Sequence, residues 1–321
     1  MLDGVSLDQL RTFIAAVEEG SFSAAARKLR RAQSVVSDLV SNLESQIGVP
    51  LFDRSGRYPK LTQAGAILLA DARNVVSGVD ALKSRAKGMA AGLEPELSAV
   101  IDVCFPIQAI TEAAKEFRHL FPQTPLRLYV EALGGVCQPI LDGRASLGVI
   151  GTLPLIPPSF ASEKIASVEF RLVASREHPL AEFSGVIPKA ELARHVQLVL
   201  TDRSDLTAGR EFGVLSPLTW RLADLFAKQA FLLNGLGWGG MPLHAVEKDI
   251  ADGRLVSLQV EDIPPDGLFL PMSAIYPVSA PPGPAGRWLI ERLKQCGKLA
   301  PQRANDDPIH IAEQCRMASA L

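Results

Sequence analysis

Apolar residues recur at steps of three and four along the first 47 residues, the spacing of helices that bury one face. The first helix carries the apolar set Leu7, Leu10, Ile14 and Val17. A short helix follows, for which we expect Ser23 to be the N-cap, and it runs to about Leu29. After a tight connection, a longer helix runs from about Ala32 to Ile47, with its apolar face at Val36, Val40, Leu43 and Ile47. This arrangement predicts a helix-turn-helix.

The outward face of the third helix carries short polar side chains that suit close approach to a partner. We expect these to read base edges: Gln33, Ser34, Ser37 and Asp38. Basic residues placed for phosphate contacts are Arg31, Arg54 and Lys60, and Ser23 is a further predicted DNA contact. Gly56 lies between two short apolar segments, which predicts a two-stranded wing with a turn at its tip. A plain helical hairpin is the alternative interpretation of the same pattern.

A second apolar pattern follows, in which the steps alternate regularly between four and three. It comprises Leu68, Ala72, Val75, Val79, Leu82, Ala86, Met89 and Leu93. Such a heptad seam is typical of a coiled coil, whereas a helix packed on its own domain carries a broader stripe. Gly92 and Pro95 then end the helix. We therefore predict a dimerising linker helix, and we expect Leu68, Val75, Val79, Leu82 and Met89 to form the contact.

From Leu97 the pattern changes to short apolar strands that alternate with helices, which predicts a mainly parallel α/β sheet. We expect a helix from about Thr219 to Leu232 and, after it, a glycine-rich turn at 235–242 that leads into a further helix. That turn reads Gly-x-Gly-x-Gly-Gly and follows a predicted helix, so it does not match the dinucleotide-binding pattern, and we predict no cofactor. Residues 300–321 are polar and irregular, which predicts a loose tail.

Composition places further limits on function. The net charge of −2 over 321 residues means that a local basic surface must carry any contact with DNA. The sequence has no apolar run long enough to span a membrane and no export signal, and its four cysteines lack metal-ligand spacing. These features predict a cytoplasmic protein with reduced thiols. No nucleophile and base stand at a suggestive spacing, so we predict that the protein is not an enzyme.

Several motifs together resemble the LysR-type transcriptional regulators. They are Leu10-Arg11-Thr12-Phe13, Gly20-Ser21-Phe22-Ser23-Ala24-Ala25-Ala26, Ala32-Gln33-Ser34, Leu43-Glu44, Gly48-Val49-Pro50-Leu51-Phe52-Asp53-Arg54 and Leu61-Thr62-Gln63-Ala64-Gly65. The resemblance is dense over residues 5–65 and looser beyond. One departure is Asp38, where the family often has Arg or Gln. An acidic side chain there repels phosphate but can accept from cytosine N4.

The resemblance implies a fold, a domain order and a set of partners. The fold is an N-terminal winged helix-turn-helix, a long linker helix and a two-lobed α/β effector domain of the periplasmic-binding-protein type. The expected ranges are 1–65 for DNA binding, 66–94 for the linker, 95–161 with 268–299 for lobe one, 162–267 for lobe two and 300–321 for the tail. The implied partners are double-stranded DNA, a small-molecule effector, RNA polymerase and further copies of the chain in a dimer or tetramer.

Ligands of α/β folds bind at the carboxyl ends of strands, so we expect the effector between the lobes. That rule selects Cys104, Phe105, Thr201, Asp202 and Trp238. A small, partly apolar anion is the expected effector, since a helix N-terminus follows the first strand. The alternative is that Phe105 and Trp238 are core aromatics. Two other classes stay open at this stage, namely a cytosolic small-molecule binding protein that kept a helical module and an α/β enzyme.

Overall fold

The computed structural model describes residues 4–56, 59–151, 156–201, 203–265 and 267–297. It divides into two compact units, Met1–Ala91 and Gly92–Leu321. The predicted tail and the predicted effector contact Asp202 lie outside the described residues.

The first unit is helical, with one small antiparallel ribbon. Its elements are α1 (Leu7–Glu18), α2 (Phe22–Leu29), α3 (Gln33–Ile47), β1 (Phe52–Asp53), β2 (Lys60–Leu61) and α4 (Gln63–Ala90). Phe13, Val40 and Leu43 are buried in a core that α1, α2 and α3 build together with Leu51 and Phe52. The Phe52 ring packs edge-on against the rings of Phe13 and Phe22. The three helices and the ribbon therefore share one core, as a winged helix-turn-helix requires.

Side-chain caps begin three of these helices. Ser6 forms a reciprocal capping box with Gln9 at the start of α1, and Thr62 caps α4. The prediction of Ser23 as the cap of α2 was wrong by two residues. Ser21 has the extended backbone of an N-cap, and its Oγ accepts from the Ala24 backbone N–H at 3.2 Å. The earlier start includes Phe22 in the helix and so directs its ring into the core.

The second unit is an α/β domain. Its helices are α5 (Ile107–Leu120), α6 (Cys137–Leu141), α7 (Lys189–Leu192), α8 (Leu225–Leu233), α9 (Leu243–Ala251) and α10 (Pro284–Gly297). Its strands are β3 (Leu97–Asp102), β4 (Leu126–Glu131), β5 (Leu147–Ile150), β6 (Phe160–Ser175), β7 (Gln197–Leu200), β8 (Thr219–Leu222), β9 (Trp238–Pro242), β10 (Leu255–Ser257) and β11 (Leu268–Pro277). Short 3-10 helices lie at Leu133–Val136, Pro179–Glu182 and Asp205–Thr207.

The strands of this unit form one sheet in the order β4-β3-β5-β11-β6-β9-β7-β8, with β10 paired to β6. The long strand β6 pairs with β11 over Phe160–Phe170 and with β9 over Phe170–Ala174. One continuous strand thus belongs to both halves of the domain. We call the half containing β3, β4, β5 and β11 the first lobe, and the half containing β7, β8, β9 and β10 the second lobe.

Two segments of the second lobe differ from the predictions. Residues 219–222 form strand β8, paired in parallel with β7, and the following helix α8 is correspondingly short. The predicted glycine-rich turn at 235–242 is a turn only at its start, where Gly235 has φ 70°, and Trp238–Pro242 form strand β9. A Cβ on Gly237 would meet the Val196 carbonyl oxygen at 2.4 Å, and one on Gly239 would meet that of Leu198 at 2.6 Å. These glycines therefore let β9 lie close against the chain of β7 rather than turn it.

Candidate DNA-binding surface and effector domain

Helix α3 presents two contrasting faces. Val36, Val40 and Leu43 are buried against the rest of the unit. The opposite face carries the predicted base-reading residues, of which Gln33, Ser34 and Asp38 are exposed and Ser37 is half-buried. The helix starts after Ala32 with no side-chain cap, so its first backbone N–H groups are left for an outside acceptor. This exposed, polar first turn suits close contact with a nucleic-acid groove.

The turn between α2 and α3 fixes the orientation of the exposed polar face of α3. Arg30 adopts the left-handed conformation with φ 55°, and the Arg31 backbone N–H donates to the Ala26 carbonyl at 2.9 Å. This ends α2 abruptly. Ala25 and Ala26 are buried, and their small side chains let α3 pack closely. Ser23, predicted as a DNA contact, is half-buried near the start of α2, with its Oγ 3.5 Å from that of Ser21.

The predicted phosphate contacts already have partners of different kinds. Arg31 pairs with Asp8 at 2.6 Å on the surface. Surface pairs of this type contribute little, so a phosphate can replace the carboxylate. Lys60 is exposed on β2 and stands opposite Asp53 in the ribbon register. Both residues therefore remain suited to phosphate contact.

Arg54 has a structural partner that the sequence pattern did not reveal. Glu44 on α3 accepts from the backbone N–H groups of Leu51 and Phe52 at 2.7 and 2.9 Å, and its other oxygen accepts from Arg54 at 2.8 Å. The Arg54 guanidinium also lies 5.3 Å from the centre of the Phe22 ring. Glu44 thus ties the start of the wing to α3, and Arg54 closes the connection.

The long helix α4 buries little of its seam within its own chain. Gly65 and Ala72 are its buried residues, while Val75, Leu82 and Met89 are 50%, 65% and 52% exposed. An apolar groove of about 540 Å³ lies between the start of α1, α3 and α4. Its lining includes Leu10, Leu43, Leu68, Val75 and Val79. An apolar seam and an apolar groove together favour a helical partner.

The described effector residues that the sequence predicted lie at three places in the α/β domain. Cys104 and Phe105 follow β3 and are buried, and Phe105 is part of the first-lobe core. Thr201 follows β7 and is half-buried. Trp238 has none of its surface exposed and packs in a second-lobe core, with its Nε1 donating to the His195 carbonyl at 3.4 Å. Phe105 and Trp238 are thus both part of the core packing of their lobes, as the alternative interpretation had it.

The sequence pattern did not reveal two buried charged residues near Cys104. Asp102 ends β3, and its Oδ1 accepts from the Cys104 backbone N–H at 2.8 Å. Lys228 on α8 donates from Nζ to the Gly240 carbonyl at 2.7 Å, and burial lowers the pKa of Lys228 to about 8. Burial, reinforced by Asp102, raises the pKa of the Cys104 thiol. The available signal was that Lys228 lies on the buried face of α8 with Leu225 and Leu232.

Comparison with known families decides what these units are. The family model described as "Bacterial regulatory helix-turn-helix protein, lysR family" matches residues 7–66. The model described as "LysR substrate binding domain" matches residues 90–297, well over half of the chain. The chain belongs to the LysR family. This LysR-family protein is a DNA-binding transcriptional regulator controlled by a small-molecule effector, as the sequence predicted.

Individual relatives agree with that assignment. The HTH-type transcriptional activator AllS of Salmonella paratyphi A is 30% identical over 275 residues, which cover 82% of this chain and 87% of AllS. The HTH-type transcriptional regulator PunR of Escherichia coli is 29% identical over 289 residues, covering 87% of this chain and 89% of PunR. A Corynebacterium glutamicum OxyR C206 mutant matches with a TM-score of 0.57 and 21% identity, over 92% of this chain and 94% of that one. The predicted fold class is confirmed.

Two further features of the described residues bear on function. None of their helices combines the length and apolar character needed to cross a membrane. Within the same residues, no three His, Cys, Asp or Glu side chains come together where they could hold a metal ion.

Proposed function

We propose that this LysR-family regulator acts as a homodimer whose two α3 helices read neighbouring DNA half-sites. The observation that carries the proposal is the exposed polar first turn of α3 on a helix whose other face is fully buried. Base edges would be read through Gln33, Ser34, Ser37 and Asp38. Phosphates would be held through Arg31, Arg54 and Lys60, with Ser23 alongside. Arg54 would do this while also bracing the wing against Glu44.

Replacement of Gln33 should reduce the sequence specificity of DNA binding and leave the affinity for non-specific DNA unchanged. A glutamine amide pairs with adenine N6 and N7. A good contact of this kind favours the correct base over the others by about 1–3 kcal/mol. We expect Gln33→Ala to weaken binding to the preferred duplex by that amount and to leave binding to unrelated duplexes unchanged. Fluorescence anisotropy with matched specific and scrambled duplexes measures both values.

Lys60→Ala is the matched control, because a phosphate contact carries no sequence information. It should weaken binding to both duplexes alike and reduce the slope of log K against log salt concentration by about 1. If Gln33→Ala instead weakened both duplexes equally, Gln33 would be a scaffold residue and the assignment of the base-reading face would fail.

The dimer in this proposal forms through the seam of α4, at Leu68, Val75, Val79, Leu82 and Met89. Support comes from the exposure of the seam beyond Ala72 and from the apolar groove beside it. A helix with an uncovered apolar stripe in water gains stability when a second copy covers it. Further contacts between effector domains would extend the dimer to a tetramer.

The effector in this proposal binds at the junction of the lobes, beside the chain that follows β3 at Cys104 and Phe105 and the chain that follows β7 at Thr201 and Asp202. Support comes from the positions of the described members of this set, which follow β3 and β7 at the carboxyl ends of parallel strands. A ligand that prefers one arrangement of the lobes shifts the population toward it. The changed domain would alter how the dimer holds DNA and engages RNA polymerase in the cytoplasm. The protein would turn over neither its effector nor its DNA.

A further inference from the structure

Arg30 differs from its neighbours in the helix-turn-helix by its backbone conformation. It ends α2 with φ 55° and ψ 47°, in the left-handed region. The Cβ of any residue other than glycine crowds its own backbone in this region, so glycine is the usual occupant. Strained residues of this kind are commonly found at functional sites. The presence of an arginine here therefore calls for a physical reason.

The helices on either side of α2 solve the same backbone problem with glycine. Gly20 follows α1 with φ 68°, and Gly48 ends α3 with φ 77°. On either glycine a Cβ would have open space among the described residues, so these glycines serve the backbone conformation alone. Arg30 performs the same task with a long charged side chain. Its side chain, and not the turn, is the reason for an arginine at this position.

The charge of Arg30 is exposed and uncompensated. Within the part of the chain that the structure describes, its guanidinium forms no ion pair and no hydrogen bond. The cations beside it are already paired, Lys28 with Glu19 at 2.9 Å and Arg31 with Asp8 at 2.6 Å. A guanidinium stays protonated in proteins and carries five donors. Arg30 can therefore bind an anion without first leaving a carboxylate.

The position of Arg30 places this charge beside the proposed base-reading turn. It lies three residues before Gln33, the first residue of α3. The hydrogen bond from the Arg31 backbone N–H to the Ala26 carbonyl keeps the connection tight. A helix whose first turn enters a groove brings the residues just before it to the edge of the groove, where phosphates lie.

We propose that the turn before α3 gives up folding stability in order to hold Arg30 on a DNA phosphate. This rests on the proposed reading of DNA by α3 and adds an anchor at the start of that helix. A guanidinium donates two parallel hydrogen bonds to a phosphate, which fixes orientation as well as adding affinity. The contact carries no sequence information, so it strengthens binding to every duplex. The alternative is a solvated arginine whose only role is to end α2.

Three variants of the full-length protein test both sides of this proposal: Arg30→Gly, Arg30→Lys and the charge control Arg85→Gln. Arg85 is exposed on α4, about 30 Å along that helix from Gln63. Thermal melting followed by circular dichroism measures stability. Anisotropy over a series of salt concentrations measures binding to a duplex selected by the wild type and to its scrambled sequence.

We expect Arg30→Gly to melt above wild type, because glycine adopts the left-handed conformation without the crowding of a Cβ. The same variant should bind both duplexes about five- to tenfold more weakly near 0.1 M salt. Its slope of log K against log salt concentration should be shallower by about 1. Arg30→Lys retains the charge and should keep the wild-type slope. Arg85→Gln should match wild type in melting and in binding.

A residue that only ends α2 would not move stability and DNA affinity in opposite directions. The proposal is overturned if Arg30→Gly binds DNA as tightly as wild type, if it melts no higher than wild type, or if Arg85→Gln weakens binding equally. A loss confined to the selected duplex would make Arg30 a base reader and would overturn the phosphate contact. The wild type reports the proposed function separately. Equal affinity of the wild type for both duplexes would count against base reading by α3 and not against Arg30.

Discussion

We expect a chain carrying Val79→Asp and Leu82→Asp to sediment as a monomer and to lose its tight binding to DNA with two half-sites. Both residues lie on the apolar seam of α4, and Leu82 is 65% exposed within its own chain. In a dimer the two substitutions would bring four carboxylates into one apolar contact, which is a costly burial of like charge. Joining two half-site readers raises affinity by about 10²–10⁴-fold, and the monomer would forfeit that gain.

Ser77→Asp with Ser84→Asp provides a matched control. Both serines are exposed on α4 outside the seam, and the pair adds the same charge. This control should sediment as the wild-type dimer. Sedimentation velocity and anisotropy on the same preparations give both readouts. If the seam variant sedimented like wild type and bound its duplex equally well, α4 would not be the dimerising element.

The largest expected loss of stability follows from Trp238→Ala. The side chain has no exposed surface and packs among Ala174, Leu180 and Ile187 of the second lobe. Removing a buried tryptophan costs about 3–5 kcal/mol through lost burial and the cavity left behind. The substitution also leaves the His195 carbonyl without its indole donor. Urea unfolding followed by far-ultraviolet circular dichroism measures the free energy of unfolding.

Trp220→Ala tests whether the effect belongs to burial rather than to tryptophan itself. Trp220 is 47% exposed on the strand β8, at the end of the sheet. Its removal should cost about 1 kcal/mol or less, as is usual for partly exposed positions. If Trp238→Ala were as stable as wild type, Trp238 would not be a core residue. The earlier prediction that it lines an open cleft would then be favoured.

Much of the first unit followed from sequence because its signals are local. The apolar steps placed α3 within a residue of its observed start, and its buried residues Val36, Val40 and Leu43 were those of the predicted face. Most of α4 also followed from sequence, because a heptad pattern shows its period over many residues. The last predicted seam residue, Leu93, lies beyond the end of α4 at Ala90 and packs on the first-lobe core. The cap of α2 was misplaced because two serines, Ser21 and Ser23, offer the same chemistry two positions apart.

The errors in the second unit arose where distant contacts decide the structure. The segment Trp220–Leu222 has no strong local preference and becomes a strand by pairing with β7. The glycines of β9 indicated a turn, yet they serve close approach to the chain of β7. Lys228 and Glu44 acquire their roles only from folded neighbours, the Gly240 carbonyl for the first and the wing backbone for the second. No pattern along the sequence specifies such partners.

Selection of binding sites from a pool of random duplex DNA tests the central claim most directly. A dimer that reads DNA through two α3 helices should enrich a paired motif. Its two halves should be related by two-fold symmetry and spaced by about one helical turn, or a multiple of it. Gln33→Ala should enrich a motif that is relaxed at the same position in both halves. Enrichment of a single unpaired motif, or of no motif at all from the wild-type protein, would contradict the account.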